Sequence, residues 1–412
     1  MARATNLEEA MRVLDPQKSL DGRELDEFYV SRDSRSLKLI KNLLKQAPPV
    51  KILFTGHRGT GKSTELARMQ KDLDGFWTVR FSVYDKLDLN DIKHMDLLLT
   101  ILLQILVQVE ATPQLELKKN TLERARLFQA EVEVERTSTE LASTEVKVGL
   151  KEALLGLFSL EGRLSKEAVT RKKVREKIEP HLSELFNLLA EIVRDIEAQL
   201  GGKRVLVIVE DIDKADFNVG RDIFHGHGFS MSQIPVSVIY TFPIALHSSE
   251  HMRQIEQSFG ECVTLANIKV REKNGDEGPG IAQMTDLLEK RLENHLIEPD
   301  AQKSLILASG GIPRILIQLA RDACNEALVD GLDRVRQEDV DRAIGEERKS
   351  FQRFLSKAQL RLLRDVHDTK TMDVGEDYAK LIHGLSVFEY ENGETWFDVN
   401  PVVVKLLPPP TP

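Results

Sequence analysis

The segment that decides the fold is Val50-Lys51-Ile52-Leu53-Phe54 followed by Gly56-His57-Arg58-Gly59-Thr60-Gly61-Lys62-Ser63. A short apolar run leads into a glycine-rich turn, and a helix is predicted from Lys62 to about Leu73. The turn matches G-x-x-x-x-G-K-S in full. In this pattern the glycines let backbone N–H groups surround phosphate oxygens, and the following helix adds its positive N-terminus. With a strand before it and a helix after it, the turn predicts a phosphate-binding loop.

Strands and helices alternate on both sides of this loop. Further strands are predicted at 76–84, 205–209, 236–241 and 262–270, and amphipathic or buried helices at 92–109 and 182–200. Residues 205–209 are all apolar without alternation, as a strand buried on both faces requires. The pattern predicts an α/β protein with a parallel sheet covered by helices on both faces.

An acidic cluster, Glu210-Asp211-Ile212-Asp213, follows the buried strand directly. In phosphate-loop proteins the lysine reaches the β- and γ-phosphates and the next hydroxyl, here Ser63, takes a Mg²⁺ position. A carboxylate at a neighbouring strand end holds the Mg²⁺, and a second carboxylate can polarise the attacking water. We therefore expect ATP and Mg²⁺ as ligands; the alternative is a solvated acidic loop.

These motifs resemble an AAA+ ATPase of the group shared by origin-recognition initiators and STAND signalling ATPases, over about residues 28–349. Phe28-Tyr29-Val30-Ser31-Arg32 resembles the family's F-V-G-R-E entry segment. Thr241 stands where the family keeps its polar sensor 1 residue. Gly310-Gly311-Ile312-Pro313-Arg314 resembles the G-G-x-P-R of the helical lid, whose arginine is sensor 2.

The resemblance implies roles for individual residues. Gly56 to Ser63, with Thr64 directly after them, would bind the nucleotide, and Ser63 and Glu210 would face Mg²⁺. Asp211 would take the water-polarising position, and Thr241 and Arg314 would complete the catalytic set. The family usually has Asp-Glu or Asp-Asp where this chain has Glu210-Asp211, so slow hydrolysis is expected. An arginine from a neighbouring subunit is also implied; Arg221 and Arg253 are candidates, but any surface arginine would fit equally well.

The predicted architecture is an AAA+ type three-layer parallel-sheet core with a helical lid and a small winged-helix domain. Residues 1–48 are an N-terminal helical segment, 49–273 the ATPase core, 281–349 the lid, and 350–412 the winged-helix-like domain with its Asn392-Gly393 hairpin turn. Residues 111–180 interrupt the alternation. They are predicted to be an inserted arm with strands at 131–135 and 144–148 and a solvated basic helix at 166–177. The arm would bind a partner or serve self-assembly; a disordered surface loop is the alternative.

Composition narrows the function. The net charge of −9 disfavours nucleic acid as the main partner. The two cysteines lack CxxC spacing, and His225-Gly226-His227 has no third ligand nearby, so no zinc site is predicted. The N-terminus lacks an export signal, and the apolar run Leu97–Val109 is shorter than the roughly 20 residues of a membrane span. We therefore expect a cytoplasmic protein with no membrane contact.

Two functional classes remain open. The first is an oligomerising ATP switch that acts with a protein partner, with bacterial stress or phage defence as candidate settings. The second is a DNA-binding initiator or regulator that uses the winged helix. Residues 351–412 contain seven Lys/Arg against nine Asp/Glu, which favours the protein partner. A structural protein with an inactive nucleotide site is a third alternative.

Overall fold

The computed structural model describes residues 3–32, 35–46, 49–132, 168–391 and 393–410. The strands are β1 Lys51–Thr55, β2 Phe76–Ser82, β3 Arg204–Glu210, β4 Ser237–Phe242, β5 Gly260–Thr264, β6 Val387–Glu391 and β7 Thr395–Val399. Within the described residues the first five form one parallel sheet in the order β2–β3–β4–β1–β5. The carboxyl ends of β1, β3 and β4 are therefore neighbours, and this places the phosphate loop beside the acidic cluster.

The helices surround this sheet and continue into a lid and a C-terminal module. They are α1 Leu7–Val13, α2 Gly22–Phe28, α3 Arg35–Leu43, α4 Lys62–Gln70, α5 His94–Glu110, α6 Lys119–Val132, α7 Ala168–Ile178, α8 Leu182–Glu197, α9 Phe217–Arg221, α10 Gly228–Ser232, α11 Ile244–His247, α12 Met252–Phe259, α13 Gly280–Glu289, α14 Pro299–Ala308, α15 Pro313–Val329, α16 Gln337–Phe354, α17 Lys357–Thr369 and α18 Glu376–His383. Short 3₁₀ turns lie at Glu179–His181, Ile212–Lys214, Asn294–Leu296 and Val404–Leu406, and a π turn at Asp222–Gly226.

Alternate residues of each central strand point to opposite faces of the sheet. Leu53 and Val207 pack with α5, α6 and α8 on one face. Ile52 and Ile208 pack with α3 and α4 on the other. Both faces are buried, so the strands are apolar throughout and the core has three layers. The predicted α/β class is confirmed by this sheet.

The segment predicted to be an inserted arm differs from expectation at both ends. Leu122 and Phe128 of α6 and Val174 of α7 are buried, and all but Leu122 belong to the main hydrophobic cluster of the core. The predicted strand at 131–135 begins inside α6, and the rest of it, like 144–148, lies outside the described residues. Residues 111–132 and 168–180 are thus part of the core.

The predicted solvated basic helix is also corrected, because α7 turns its arginines inward. Arg175 bonds to Asp96 (Nη2–Oδ2 2.6 Å) and to Asp91, and Arg171 donates Nε to Asp91 Oδ2 at 2.8 Å. Asp96 lies in the first turn of the buried helix α5. Its side chain is only 2% exposed, and α7 supplies its counter-charge. Lysines 172 and 173 remain exposed on the opposite side.

The N-terminal 48 residues do not form a unit of their own. Leu7 and Leu14 of the α1 region are buried in the hydrophobic cluster of the lid with α13–α16, and Ala4 pairs with Leu292 in a short bridge. Ile40 of α3 instead packs under the sheet. The helical lid therefore combines residues that precede the sheet in the sequence with residues that follow it.

The C-terminal residues contain α17 and α18 followed by the antiparallel pair β6–β7, in the predicted order. The assignment of this C-terminal module as a winged helix stays a prediction. Phe388 and Tyr390 of β6 pack against Ile312 at the start of the lid helix α15. In the described part of the chain, no helix combines the length and apolar character that crossing a membrane requires.

Candidate functional site

The glycine-rich loop between β1 and α4 adopts a backbone that only glycine accepts readily. Gly56, Gly59 and Gly61 have φ values of 144°, 88° and 97°. A Cβ on Gly59 would lie 2.5 Å from the Cβ of Arg314, so the lid helix α15 rests directly on the loop. The Arg314 N–H donates to Gly59 O at 3.2 Å, which fixes this contact.

Lys62 begins α4 and its side chain is 6% exposed. Its ammonium donates to Gly56 O at 2.7 Å and His57 O at 3.1 Å, and it forms an ion pair with Asp213 Oδ2 at 2.9 Å. The lysine is thus folded over the loop that it follows, at the position from which a phosphate-loop lysine reaches phosphates.

Glu210 ends β3 beneath Ser63. Burial raises the pKa of the Glu210 carboxyl, and the opposing effects of the Arg80 guanidinium and the Ser63 hydroxyl only partly offset it. Arg80 bonds to Glu210, donates to Ser63 O at 3.2 Å, and reaches Asp21 Oδ2 at 3.0 Å. A hydroxyl and a carboxylate therefore meet here, which are the oxygen ligands that Mg²⁺ prefers. Arg80 competes with a metal for the same carboxylate.

The side chain of Asp211 is held by protein groups away from Lys62. Its backbone is left-handed, with a φ of 70°. Its carboxylate accepts a hydrogen bond from Ser82 Oγ at 2.6 Å and pairs with Lys214 Nζ at 2.7 Å. Asp tolerates this backbone better than most residues, and the chain reverses here into the turn Ile212–Lys214.

That reversal directs Asp213 back toward the loop. Burial alone would raise the pKa of Asp213, but the Lys62 ammonium outweighs it and holds the pKa below its ordinary value. The Thr241 hydroxyl lies beside this carboxylate and adds to the lowering. Thr241 Oγ1 is nevertheless a buried atom with no well-formed hydrogen bond to the described residues. The sequence analysis assigned Asp213 no role of its own. Its position two residues after Asp211, within the acidic cluster, was the feature that could have marked it as a site residue.

His57 and Arg58, both predicted to bind the cofactor, point their side chains toward the C-terminal module. The buried imidazole of His57 accepts the Glu389 N–H at Nε2, 2.8 Å away. Burial, followed by the nearby Lys62, lowers its pKa to about 3, so the ring is neutral. Arg58 Nη2 lies 3.0 Å from His383 Nε2 and donates to Lys214 O at 2.7 Å. The side chain of His57 is therefore not available to bind the nucleotide.

One cavity, open to solvent at its mouth, joins the loop to the lid. Arg314, Asp211, Asp213 and the loop residues from Arg58 to Thr64 line its polar end. Its far end is apolar and is lined by Leu20, Phe28, Val30, Ile268, Leu287 and Ile317. Gly56, His57, Glu210 and Thr241 are behind this lining. A lining that combines charged loop residues with apolar side chains suits a nucleotide, which has charged phosphates and an apolar base.

Three arginines that sequence reasoning left unassigned support this cavity. Arg32 donates to Thr60 O at 2.6 Å and so ties the entry segment to the loop. Arg291 is 4% exposed and lines the apolar end, where burial lowers its pKa to about 10. Arg80, described above, is the third. A charged residue within a strand that is otherwise uncharged was the detectable signal for it.

The remaining sequence candidates lie elsewhere. Arg221 packs its guanidinium over the Phe217 ring at 6.0 Å, and Arg253 is exposed on α12. His225 bonds to Gln254, whereas His227 stacks on His94. Within the described ranges, no group of three His, Cys, Asp or Glu residues is arranged to hold a metal ion.

Neither a protein-family model nor a curated protein sequence matches the chain. Several solved structures are similar. The Aeropyrum pernix ORC2 protein in ADPNP–ADP complexes is 15% identical, with 93% of this chain and 96% of that chain covered and a TM-score of 0.41. The A. pernix ORC1 protein in complex with DNA is 14% identical (95% and 94% covered, TM-score 0.40). The Thermotoga maritima RuvB Holliday junction branch migration motor is 14% identical (86% and 79% covered, TM-score 0.34).

Likeness at this level carries no argument about function, so the fold assignment rests on the sheet itself. The phosphate loop follows β1 in the parallel order β2–β3–β4–β1–β5, the acidic cluster follows β3, and a helical lid covers the loop. The described residues therefore form a three-layer α/β core with a glycine-rich phosphate loop and a helical lid.

Proposed function

We propose that this protein binds Mg-ATP at the glycine-rich loop, hydrolyses it slowly, and uses the nucleotide to switch its assembly with itself and a protein partner. The observation that carries the proposal is that Lys62, Ser63 and Arg314 line one cavity, with the Glu210 carboxyl next to the Ser63 hydroxyl. Nucleotide binding is the common function of such a loop.

The residues present fit ATP and Mg²⁺. The left-handed glycines free the backbone N–H groups of the loop for phosphate oxygens, and Lys62 supplies the cation. Ser63 and Glu210 would hold Mg²⁺, which when bound neutralises phosphate charge. The apolar far end of the cavity suits a base. Arg314 is placed to contact the phosphates from the lid.

The switch proposal rests on contacts between the loop and two other parts of the chain. The lid touches the loop through Arg314 and Gly59, and the C-terminal module touches it through His57 and Glu389. A change in the position of the loop on nucleotide binding would therefore alter its contacts with the lid and with the C-terminal module. This supports a conformational role more than a simple catalytic one.

The DNA-binding alternative is weakened by the position of α18. In a winged helix the helix before the hairpin is the one that enters the groove. Here Ala379 and Ile382 of α18 are buried against Ile244 and Ala245 of the ATPase core, and Glu376 and Asp377 begin the helix. A covered, acidic helix is poorly suited to a phosphate backbone.

Mass photometry with ATP, ADP or no nucleotide tests the switch, and phosphate release measured on the same sample tests hydrolysis. A larger assembly with ATP than with ADP is expected. Equal masses in all three conditions would refute the proposed switch. An electrophoretic shift of random duplex that is lost as salt rises would favour the DNA alternative, and binding without any phosphate release would favour the inactive-site alternative.

A further inference from the structure

Asp211 and Asp213 are the two candidates for the carboxylate that activates the attacking water at this site. The sequence resemblance assigns the role to Asp211, which directly follows the metal-facing Glu210. The structure separates the two aspartates: Asp211 and Asp213 point to different partners, although only Ile212 stands between them. Their surroundings decide which of them can act on a phosphate.

The carboxylate of Asp211 is already bonded to two nearby side chains. Ser82 Oγ and Lys214 Nζ occupy it at 2.6 and 2.7 Å, and Lys214 also lies over the Tyr84 ring at 5.5 Å. The left-handed backbone at Asp211 fixes this direction. Asp211 also lines the cavity, but its carboxylate could bind a water there only by giving up one of these bonds.

Asp213 already lies where the phosphates of a bound nucleotide would end. Its Oδ2 is 2.9 Å from Lys62 Nζ, and the lysine of a phosphate loop contacts the β- and γ-phosphates. A carboxylate one hydrogen bond from that ammonium is within reach of a water at the γ-phosphate. Beside it, the buried Thr241 hydroxyl has no well-formed hydrogen bond among the described residues and lies next to the Asp213 carboxylate, which it can help to orient.

We infer that Asp213 is the catalytic carboxylate that takes the proton of the attacking water, while Asp211 holds Ser82 and Lys214 in position. The inference rests on the proposed ATPase function. The water oxygen forms a bond to the γ-phosphorus, and one water proton passes to the Asp213 carboxylate. The bond from that phosphorus to the β–γ bridging oxygen breaks, which leaves ADP and inorganic phosphate. No further reactant is needed.

The test compares Asp213→Asn with Asp211→Asn in single-turnover hydrolysis of radiolabelled ATP, alongside calorimetric ATP affinities. Asp213→Asn should slow hydrolysis by about 100-fold or more, the scale of a lost general base. Its ATP affinity should stay equal or rise, because the amide no longer competes with phosphate for Lys62. Asp211→Asn should slow hydrolysis by less than about 10-fold, as a positioning residue would.

Two further variants exclude a structural explanation. Asp213→Glu keeps a carboxylate and should recover part of the rate that Asp213→Asn loses. Asp216→Asn changes a nearby acid whose carboxylate caps α9 through Asn218 N at 2.9 Å, outside the cavity, and should hydrolyse ATP as the parent does. Hydrolysis by Asp213→Asn within 5-fold of the parent, or a larger loss in Asp211→Asn, would overturn the inference. A parent protein that binds no ATP would instead refute the proposed function.

Discussion

The buried Glu389 makes the stability of the C-terminal module depend on pH. Its side chain is 8% exposed, and its backbone N–H is the donor to His57 of the phosphate loop. Burial raises its pKa to about 7, despite the Ser248 hydroxyl at 3.3 Å, and Glu391 adds to the rise. His247 Nδ1 is 3.9 Å away but forms no hydrogen bond, and burial lowers its own pKa, so it provides no counter-charge near neutral pH.

The size of the effect follows from the two pKa values. Between pH 4.5 and 7 the folded protein keeps a proton that the unfolded chain releases, so the free energy of unfolding falls as pH rises through this window. The change from the ordinary value of 4.5 to about 7 corresponds to at most about 3 kcal/mol, since one pKa unit is worth about 1.4 kcal/mol. Glu389→Gln removes the titrating group, so the free energy of unfolding of this variant should not show this fall with pH.

Urea unfolding at pH 5 and pH 8 measures the effect, with Trp396 fluorescence as the probe. Trp396 stacks on Tyr390 beside Glu389, and replacing Trp77, the other of the chain's two tryptophans, by Phe isolates its signal. Relative to the parent, Glu389→Gln should gain up to about 3 kcal/mol at pH 8 over pH 5. The exposed Glu394→Gln, on the same hairpin, is the matched control and should change by less than about 0.5 kcal/mol. A parent–variant difference that is the same at both pH values would refute the reasoning.

Two other substitutions follow from close contacts. Gly59→Ala places a methyl group against Arg314 on a left-handed backbone and should weaken ATP binding by about 10-fold or more in calorimetry, whereas Gly75→Ala, which has open space around it, should leave the affinity unchanged. Arg175→Gln leaves the buried Asp96 carboxylate without its counter-charge and should cost about 3–5 kcal/mol in chemical unfolding; a loss below 1 kcal/mol would show that the α7 network is solvated after all.

Local chemistry made the phosphate loop and the sheet predictable. The loop needs glycines and a lysine at fixed spacing, and a strand buried on both faces must be apolar, so Gly56–Ser63 and residues 205–209 are recognisable without long-range information. The basic helix was misjudged because its arginines look solvated until Asp91 and Asp96 are brought opposite them. That pairing depends on the tertiary fold.

The residues of the site were predicted from the sequence, but the orientations of their side chains were not. Glu210 and Asp213 were both in the recognised cluster, yet which carboxylate faces Lys62 depends on the left-handed turn at Asp211. A non-glycine residue with positive φ is not visible in a sequence. The side-chain direction of His57 was missed for a related reason, because its acceptor role depends on a hairpin more than 330 residues away.

The most direct test of the account is a calorimetric titration of Mg-ATP into the parent protein and Lys62→Ala. Because Lys62 also neutralises the buried Asp213, the variant should lose about 3–5 kcal/mol of stability, so circular dichroism must first show that it is folded at the working temperature. Ser63→Ala, which removes a proposed Mg²⁺ ligand and breaks no ion pair, is the second variant. The account predicts saturable binding to the parent, none measurable to folded Lys62→Ala, and a reduced Mg²⁺ dependence in Ser63→Ala. Equal ATP affinity in the parent and folded Lys62→Ala would contradict it.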